Sequence, residues 1–157
     1  LAIEPAEKSV MQRPPYPPRE NIFGRGMARD ILWIGLLMGL VSLGVGFLYY
    51  RIDPSASPAV WQTVTFTTLT LAQMGNALAT RSDRDTLWQI GLFSNKAMLG
   101  SVLLTFALQL AVIYMPFLNR AFSTTPLSLR DLLISLGFGT IVFFAVELFK
   151  WIRQRQK

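Results

Sequence analysis

The sequence predicts an all-α integral membrane protein, a four-helix bundle with short extracytoplasmic links and both termini in the cytoplasm. Composition is the first observation, because the 157-residue chain is 52% hydrophobic and only 15% charged. The second is that four stretches of about 20 residues are almost free of charge and match the roughly 30 Å hydrocarbon core of a bilayer. The third is that Lys and Arg flank these stretches instead of forming one basic face. That distribution indicates membrane orientation and no nucleic-acid partner.

Residues 1–30 are polar and predict a cytoplasmic, Pro-rich connector. The run from Arg13 to Arg19 contains four prolines, and closely spaced prolines favour an extended polyproline conformation over a helix. The chain begins at Leu1 and opens without the charged and then apolar start of a signal peptide. We therefore expect it to be a piece of a longer protein.

The first predicted span covers residues 31–50, which carry no charge. The link that follows, residues 51–58, contains the turn-initiating pairs Asp53-Pro54 and Ser57-Pro58 and predicts a tight connection.

The second predicted span, residues 59–79, is uncharged but rich in amide and hydroxyl side chains. Such groups are costly against lipid, so we expect much of this helix to face protein or water. Residues 80–96 form a mixed-charge loop whose apolar residues indicate a segment at the membrane interface, and Asn95 is expected to cap the next helix.

The third and fourth spans are predicted at residues 97–115 and 132–149, joined by a link at residues 119–130. The basic segment 150–157 is interpreted as a cytoplasmic tail. Glu147 is the one charge inside the fourth span, and it is close enough to the tail to reach water or to pair with Lys150, three residues on.

Orientation follows from the basic residues of the connecting segments. The amino-terminal segment, the 80–96 loop and the tail hold 5, 3 and 4 Lys plus Arg, which makes 12, against 3 in the two short links. Because basic residues concentrate on the cytoplasmic side, the first group is predicted to be cytoplasmic.

Several kinds of chemistry are excluded by composition. There are no cysteines and no histidines, which removes disulfides, thiolate metal ligands and the commonest general base. The sequence also lacks a phosphate-binding P-loop and a cluster of carboxylates within the spans.

Two patterns remain as candidate sites. Gly35 and Gly39 form a Gly-x-x-x-Gly pattern, which either allows close approach of another helix or reflects the general abundance of glycine in membrane helices. Thr70, Gln73 and Asn76 are spaced by three along the second span. Their oxygens suit a hard cation such as Ca²⁺, while interhelical hydrogen bonding is the alternative.

Residues 4–15, with Glu4-Pro5, Met11 and Arg13-Pro14-Pro15, resemble the stretch after the sixth membrane helix of the type II P-type cation ATPases. The segment 70–78 is similar to the eighth helix of that family. The resemblance covers essentially the whole chain. It implies that the four spans are helices seven to ten of a cation pump in the plasma membrane, with Ca²⁺ as the expected cation and Na⁺, K⁺ or Mn²⁺ as alternatives.

The resemblance also assigns roles to residues. Gln73 matches the place where some calcium pumps have a glutamate ligand, and Asn76 matches a neighbouring asparagine. The neutral amide in place of a carboxylate removes a charge that helps to bind a divalent cation. Gly35 and Gly39 resemble the glycine-rich seventh helix that packs against the fifth.

Arg13, Pro14 and Pro15 resemble a connector next to the phosphorylation domain. A stiff segment there suggests a role in coupling, a hypothesis that the ratio of ATP used to cation moved in a Pro14→Gly/Pro15→Gly pump would test.

The aspartyl-phosphate motif and nucleotide pocket of the family are missing from this sequence. The chain is therefore expected to hold no cofactor itself, with Mg²⁺ and ATP bound by the parent pump. Its expected partners are membrane lipid, the transport helices and the phosphorylation domain. The alternative from another class is a self-contained four-helix accessory subunit or small channel, although a channel should place polar residues on several helices.

Overall fold

The computed structural model describes residues 27–52, 57–82 and 86–155, and the regular structure within these ranges is helical. The connector residues Arg13, Pro14 and Pro15 lie outside the described residues, so their role stays a prediction. The helices are α1 (Met27–Ile52), α2 (Pro58–Ala79), the short α3 (Leu87–Ile90), α4 (Lys96–Tyr114), α5 (Pro116–Phe122) and α6 (Leu129–Arg155), with a 3-10 turn at Leu92–Ser94.

Helices α1, α2 and α6 pack together as the centre of the fold. α1 runs antiparallel to α6, because Tyr49 near the end of α1 donates a hydrogen bond to Asp131 at the start of α6, with 2.7 Å between the oxygens. At the opposite end, the Asp30 carboxylate lies 3.2 Å from Nη1 of Arg153. Because side chains join α1 and α6 at both ends, these contacts define the axial position of one helix relative to the other.

α2 lies against α1, α4 and α6, which explains how a polar helix is accommodated. Its threonine hydroxyls donate to carbonyl oxygens of their own helix, Thr63 to Ala59 at 2.6 Å and Thr65 to Trp61 at 2.8 Å. The hydroxyl of Thr67, fully buried, accepts a hydrogen bond from the Gln109 amide on α4. These three threonine hydroxyls are therefore satisfied within protein. The buried side-chain oxygens of Thr68 and Asn76 have no partner among the described residues.

Three of the described helices, α1, α4 and α6, are long and apolar enough to cross a membrane. α2 has 22 residues, a sufficient length, but its threonine and amide side chains make it less apolar than these three. The all-helical class is confirmed.

Local signals define several helix ends. The Asn95 side chain accepts from the backbone N–H of Met98 at 2.9 Å, so the predicted cap of α4 is confirmed. α6 continues without interruption from the fourth predicted span into the basic segment and ends at Arg155. Ser128 and Asp131 cap its start by mutual hydrogen bonds.

Candidate functional site

The polar residues predicted on the second span occupy α2 between its centre and its carboxyl end. Gln73 is exposed, whereas Thr70 and Asn76 are half-buried. The Thr70 hydroxyl donates to the Phe66 carbonyl at 3.0 Å, which leaves its oxygen able to accept. The side-chain oxygen of Asn76 is buried and accepts no hydrogen bond from the described residues. Gln73 and Asn76 therefore offer amide oxygens that this part of the chain does not satisfy.

Packing against α6 determines which face of α2 stays open. Leu71 and Ala72 pack against Gly139 of α6, and Gly75 packs against Phe143, so these positions face α6. Gln73 follows Ala72 directly, and each residue turns the helix by about 100°. The Gln73 side chain therefore points away from α6. The exposed side chains of α2 include Gln62, Phe66 and Gln73.

Among the described residues, glycines other than Gly35 and Gly39 make close helix contacts, and the contact of those two with a helix outside this chain stays a prediction. A side chain added at Gly35 or Gly39 would meet nothing within 4 Å, so the described residues supply no partner for that face. By contrast, a Cβ on Gly139 would lie 2.8 Å from the Cβ of Leu71. One on Gly46 would collide with the hydroxyl of Thr65. Glycine spacing on one helix could not identify these contacts, because they depend on what lies opposite.

A second polar cluster joins α6 to the carboxyl end of α2. Nζ of Lys150 lies 2.7 Å from the Glu147 carboxylate, and the side chains are only 7% and 6% exposed. The same Nζ donates to the backbone carbonyls of Ala79 at 2.6 Å and Ser82 at 3.4 Å. The predicted pairing of Glu147 with Lys150 is confirmed, but the pair is buried by protein instead of reaching water.

The other oxygen of Glu147 reaches the start of α3. It accepts from the backbone N–H of Leu87 at 2.8 Å, so Glu147 caps a short helix that is 60 positions away in sequence. Trp88 in that helix and Phe93 in the 3-10 turn after it are 79% and 74% exposed. The cluster, Glu147 with Lys150, thus holds both the end of α2 and the start of α3 against α6.

The described residues contain no group of three or more acidic, Cys or His side chains that could hold a metal. Gln73 and Asn76 can contribute neutral oxygen ligands, but a hard divalent cation needs six to eight oxygens. These two side chains alone could not complete such a ligand shell.

Long apolar helices around one polar helix define this chain as an integral membrane domain of helical class. The family model "Cation transporting ATPase, C-terminus" matches residues 1–152. The chain belongs to this family, the carboxy-terminal domain of type II P-type cation ATPases, and the resemblance carried by residues 4–15 and 70–78 is confirmed.

Individual relatives agree with the family. The chain is 34% identical over 152 residues to "Calcium-transporting ATPase type 2C member 2" of Rattus norvegicus, covering 96% of this chain and 16% of the relative. It is 34% identical over 160 residues to "Calcium-transporting ATPase type 2C member 1" of Homo sapiens, covering 100% of this chain and 17% of the relative. "Calcium-transporting ATPase 1" of Yarrowia lipolytica is 31% identical over 152 residues. The chain therefore spans about a sixth of the length of these relatives.

Proposed function

We propose that this chain is the carboxy-terminal membrane domain of an ATP-driven calcium pump, in which it supports the transport helices and offers Gln73 and Asn76 as peripheral oxygen ligands. The observation that carries the proposal is the open polar face of α2. Gln73 is exposed there, and the buried Asn76 oxygen has no partner among the described residues. An unsatisfied oxygen within an apolar bundle is costly, so a further group is needed to complete it.

In this proposal the domain crosses the plasma membrane four times, with α2 as the second crossing and both ends in the cytoplasm. The asymmetry of basic residues supports this orientation. α2 also runs parallel to α6, as Leu71 meets Gly139 and the Ala79 carbonyl meets Lys150 further along both helices. This contact with α6, a helix long and apolar enough to cross a membrane, supports a crossing by α2 as well.

Impermeant maleimide labelling tests the four crossings, and the absence of cysteines from the chain allows single-cysteine variants. Ser57→Cys, just before α2, is expected to react in intact cells. Ser94→Cys, before α4, is expected to react only after the membrane is permeabilised. If α2 does not cross, both positions lie on one side, and equal labelling of the two in intact cells would contradict the proposed topology.

The calcium assignment rests on the family and on the oxygen chemistry of α2. The relatives are named as calcium-transporting ATPases, and amide oxygens are suitable ligands for Ca²⁺. Lipid surrounds the apolar outer faces of α1, α4 and α6. The open Gly35 and Gly39 face of α1, where a side chain would meet nothing within 4 Å, is proposed to receive another helix of the same pump.

Calcium-dependent ATP hydrolysis by the full-length pump in lipid vesicles tests the function. Gln73→Ala is expected to weaken the apparent calcium affinity by about 10-fold through loss of an oxygen ligand or of its support. Gln73→Glu is expected to strengthen it, because the carboxylate adds a negative charge to the site. The matched control is Gln62→Ala, which removes the same side chain from the exposed face of α2 eleven positions away and should leave the affinity unchanged.

Each contrary result has a distinct meaning. Hydrolysis that ignores calcium but responds to Na⁺, K⁺ or Mn²⁺ would reject calcium and retain the pump. No cation-dependent hydrolysis at all would favour the accessory-subunit alternative. Calcium-dependent hydrolysis with equal effects of Gln62→Ala and Gln73→Ala would reject the role of Gln73.

A further inference from the structure

The buried Glu147 and Lys150 pair makes contacts that a simple ion pair does not need. The ammonium group of Lys150 can donate three hydrogen bonds, and the acceptor groups near it among the described residues include the Glu147 carboxylate and the carbonyls of Ala79 and Ser82. Glu147 in turn accepts from the backbone of Leu87. One charged side chain thus holds the last turn of α2, and the other holds the first turn of α3.

Lys150 is well suited to the carboxyl end of α2. The last carbonyls of a helix have no partner within the helix and carry the negative end of its dipole. An ammonium group placed there donates a hydrogen bond to a carbonyl, and the negative end of the helix dipole stabilises its positive charge. Because Lys150 belongs to α6, the cap on α2 comes from a different helix. It therefore links the axial position of α2 to that of α6.

The link fixes how far α2 can move along α6. Steric contacts at Gly139 and Phe143 set the distance between the helices near Gln73, but such contacts allow a small slide. A slide of one residue is about 1.5 Å along the axis, which would lengthen the 2.6 Å hydrogen bond from Lys150 to Ala79 and weaken it. The hydrogen bond therefore favours one axial position of α2, and with it one position of Gln73, six residues before Ala79.

We propose that Lys150 and Glu147 are positioning residues for the cation site: by holding the backbone of α2 and α3 on α6, they place the amide of Gln73 at the height where it meets the transported cation. The inference rests on the proposed function. According to this inference, the Glu147 and Lys150 pair changes the affinity for the cation as well as the stability of the fold.

The decisive variant is the double substitution Glu147→Leu/Lys150→Met in the full-length pump. It removes both charges together, so neither is left buried and unpaired, and a well-packed apolar pair is tolerated in such a position. It also removes the bonds to Ala79, Ser82 and Leu87. The amount of folded pump in the membrane is expected to match the wild type, while the calcium concentration for half-maximal hydrolysis is expected to rise about 10-fold. The maximal rate should change less than the affinity.

A second comparison shows whether the pair acts through Gln73. In a Gln73→Ala pump, the double substitution is expected to change the affinity little further, since the ligand that it positions is already gone. The charge-swap variant Glu147→Lys/Lys150→Glu keeps an ion pair but presents a carboxylate to the carbonyl of Ala79. It is expected to lose affinity as the double variant does.

Unchanged calcium affinity in the double variant, or an effect that is fully additive with Gln73→Ala, would overturn the inference while the proposed function stands. A wild-type pump without calcium-dependent hydrolysis would reject the proposed function itself. If the double variant does not accumulate in membranes, Lys150→Gln replaces it; this substitution removes the charge and keeps an amide donor. We expect a rise of at least about twofold in the half-maximal calcium concentration, and no rise would equally overturn the inference.

Discussion

Lys150→Met alone is expected to lower the free energy of unfolding of the domain by about 3–5 kcal/mol, the cost of leaving a buried charge without its partner. The reason is specific to this site, since the Glu147 side chain is only 6% exposed and has Lys150 beside it at 2.7 Å. The Ala79 carbonyl loses its donor as well. Unfolding by titration with SDS in mixed micelles would measure the change.

Two further variants separate the charge from the packing. Glu147→Leu/Lys150→Met should recover most of the lost stability, because the unpaired carboxylate is gone. Lys96→Met, at an exposed lysine at the start of α4, should stay within about 0.5 kcal/mol of the wild type. A double variant as unstable as Lys150→Met would mean that the backbone contacts, and not the charge balance, dominate the stability.

Gly139→Val is the second substitution with a large expected effect. A Cβ at this position would lie 2.8 Å from the Cβ of Leu71 and 3.2 Å from the backbone nitrogen of Ala72. Backbone cannot rotate away as a side chain can, so α2 and α6 must separate. We expect a loss of about 3 kcal/mol in the free energy of unfolding, at the upper end for overpacking, measured by the same titration.

The matched control lies two residues away on the same helix. A side chain at Gly137 would meet nothing within 4 Å, so Gly137→Val should have little effect. Gly39→Leu should likewise be harmless in the isolated domain, yet disruptive in the full pump if another helix packs on that face. Equal losses for Gly137→Val and Gly139→Val would show that helix propensity, and not the contact with α2, decides the outcome.

Much of the helical organisation could be predicted from the sequence, because a hydrocarbon layer imposes strong requirements. Charge-free stretches of about 20 residues predicted helices that the structure places at α1, α2, α4 and α6. The Asn95 cap depended on neighbouring residues, and it was confirmed. Pairing of Glu147 with Lys150 was also within reach, since residues three apart share a helix face.

The local sequence could not predict which distant residues become partners when the chain folds. The cap that Lys150 gives to Ala79 joins residues 71 positions apart, and the cap that Glu147 gives to Leu87 joins residues 60 apart. The same applies to Gly46 and Gly139, whose closeness to Thr65 and Leu71 depends on the facing helix, whereas the conspicuous Gly35 and Gly39 pattern meets no described residue.

The sequence by itself determined the helical class, the approximate positions of the long helices and the family, because charge, hydropathy and motif are properties of adjacent residues. Only the tertiary structure decided which face of α2 is closed by α6, that the Asn76 oxygen has no partner among the described residues, and how the charges of Glu147 and Lys150 become buried. The physical reason is that burial and hydrogen bonding depend on what lies across each interface, and helices separated by tens of residues supply those neighbours.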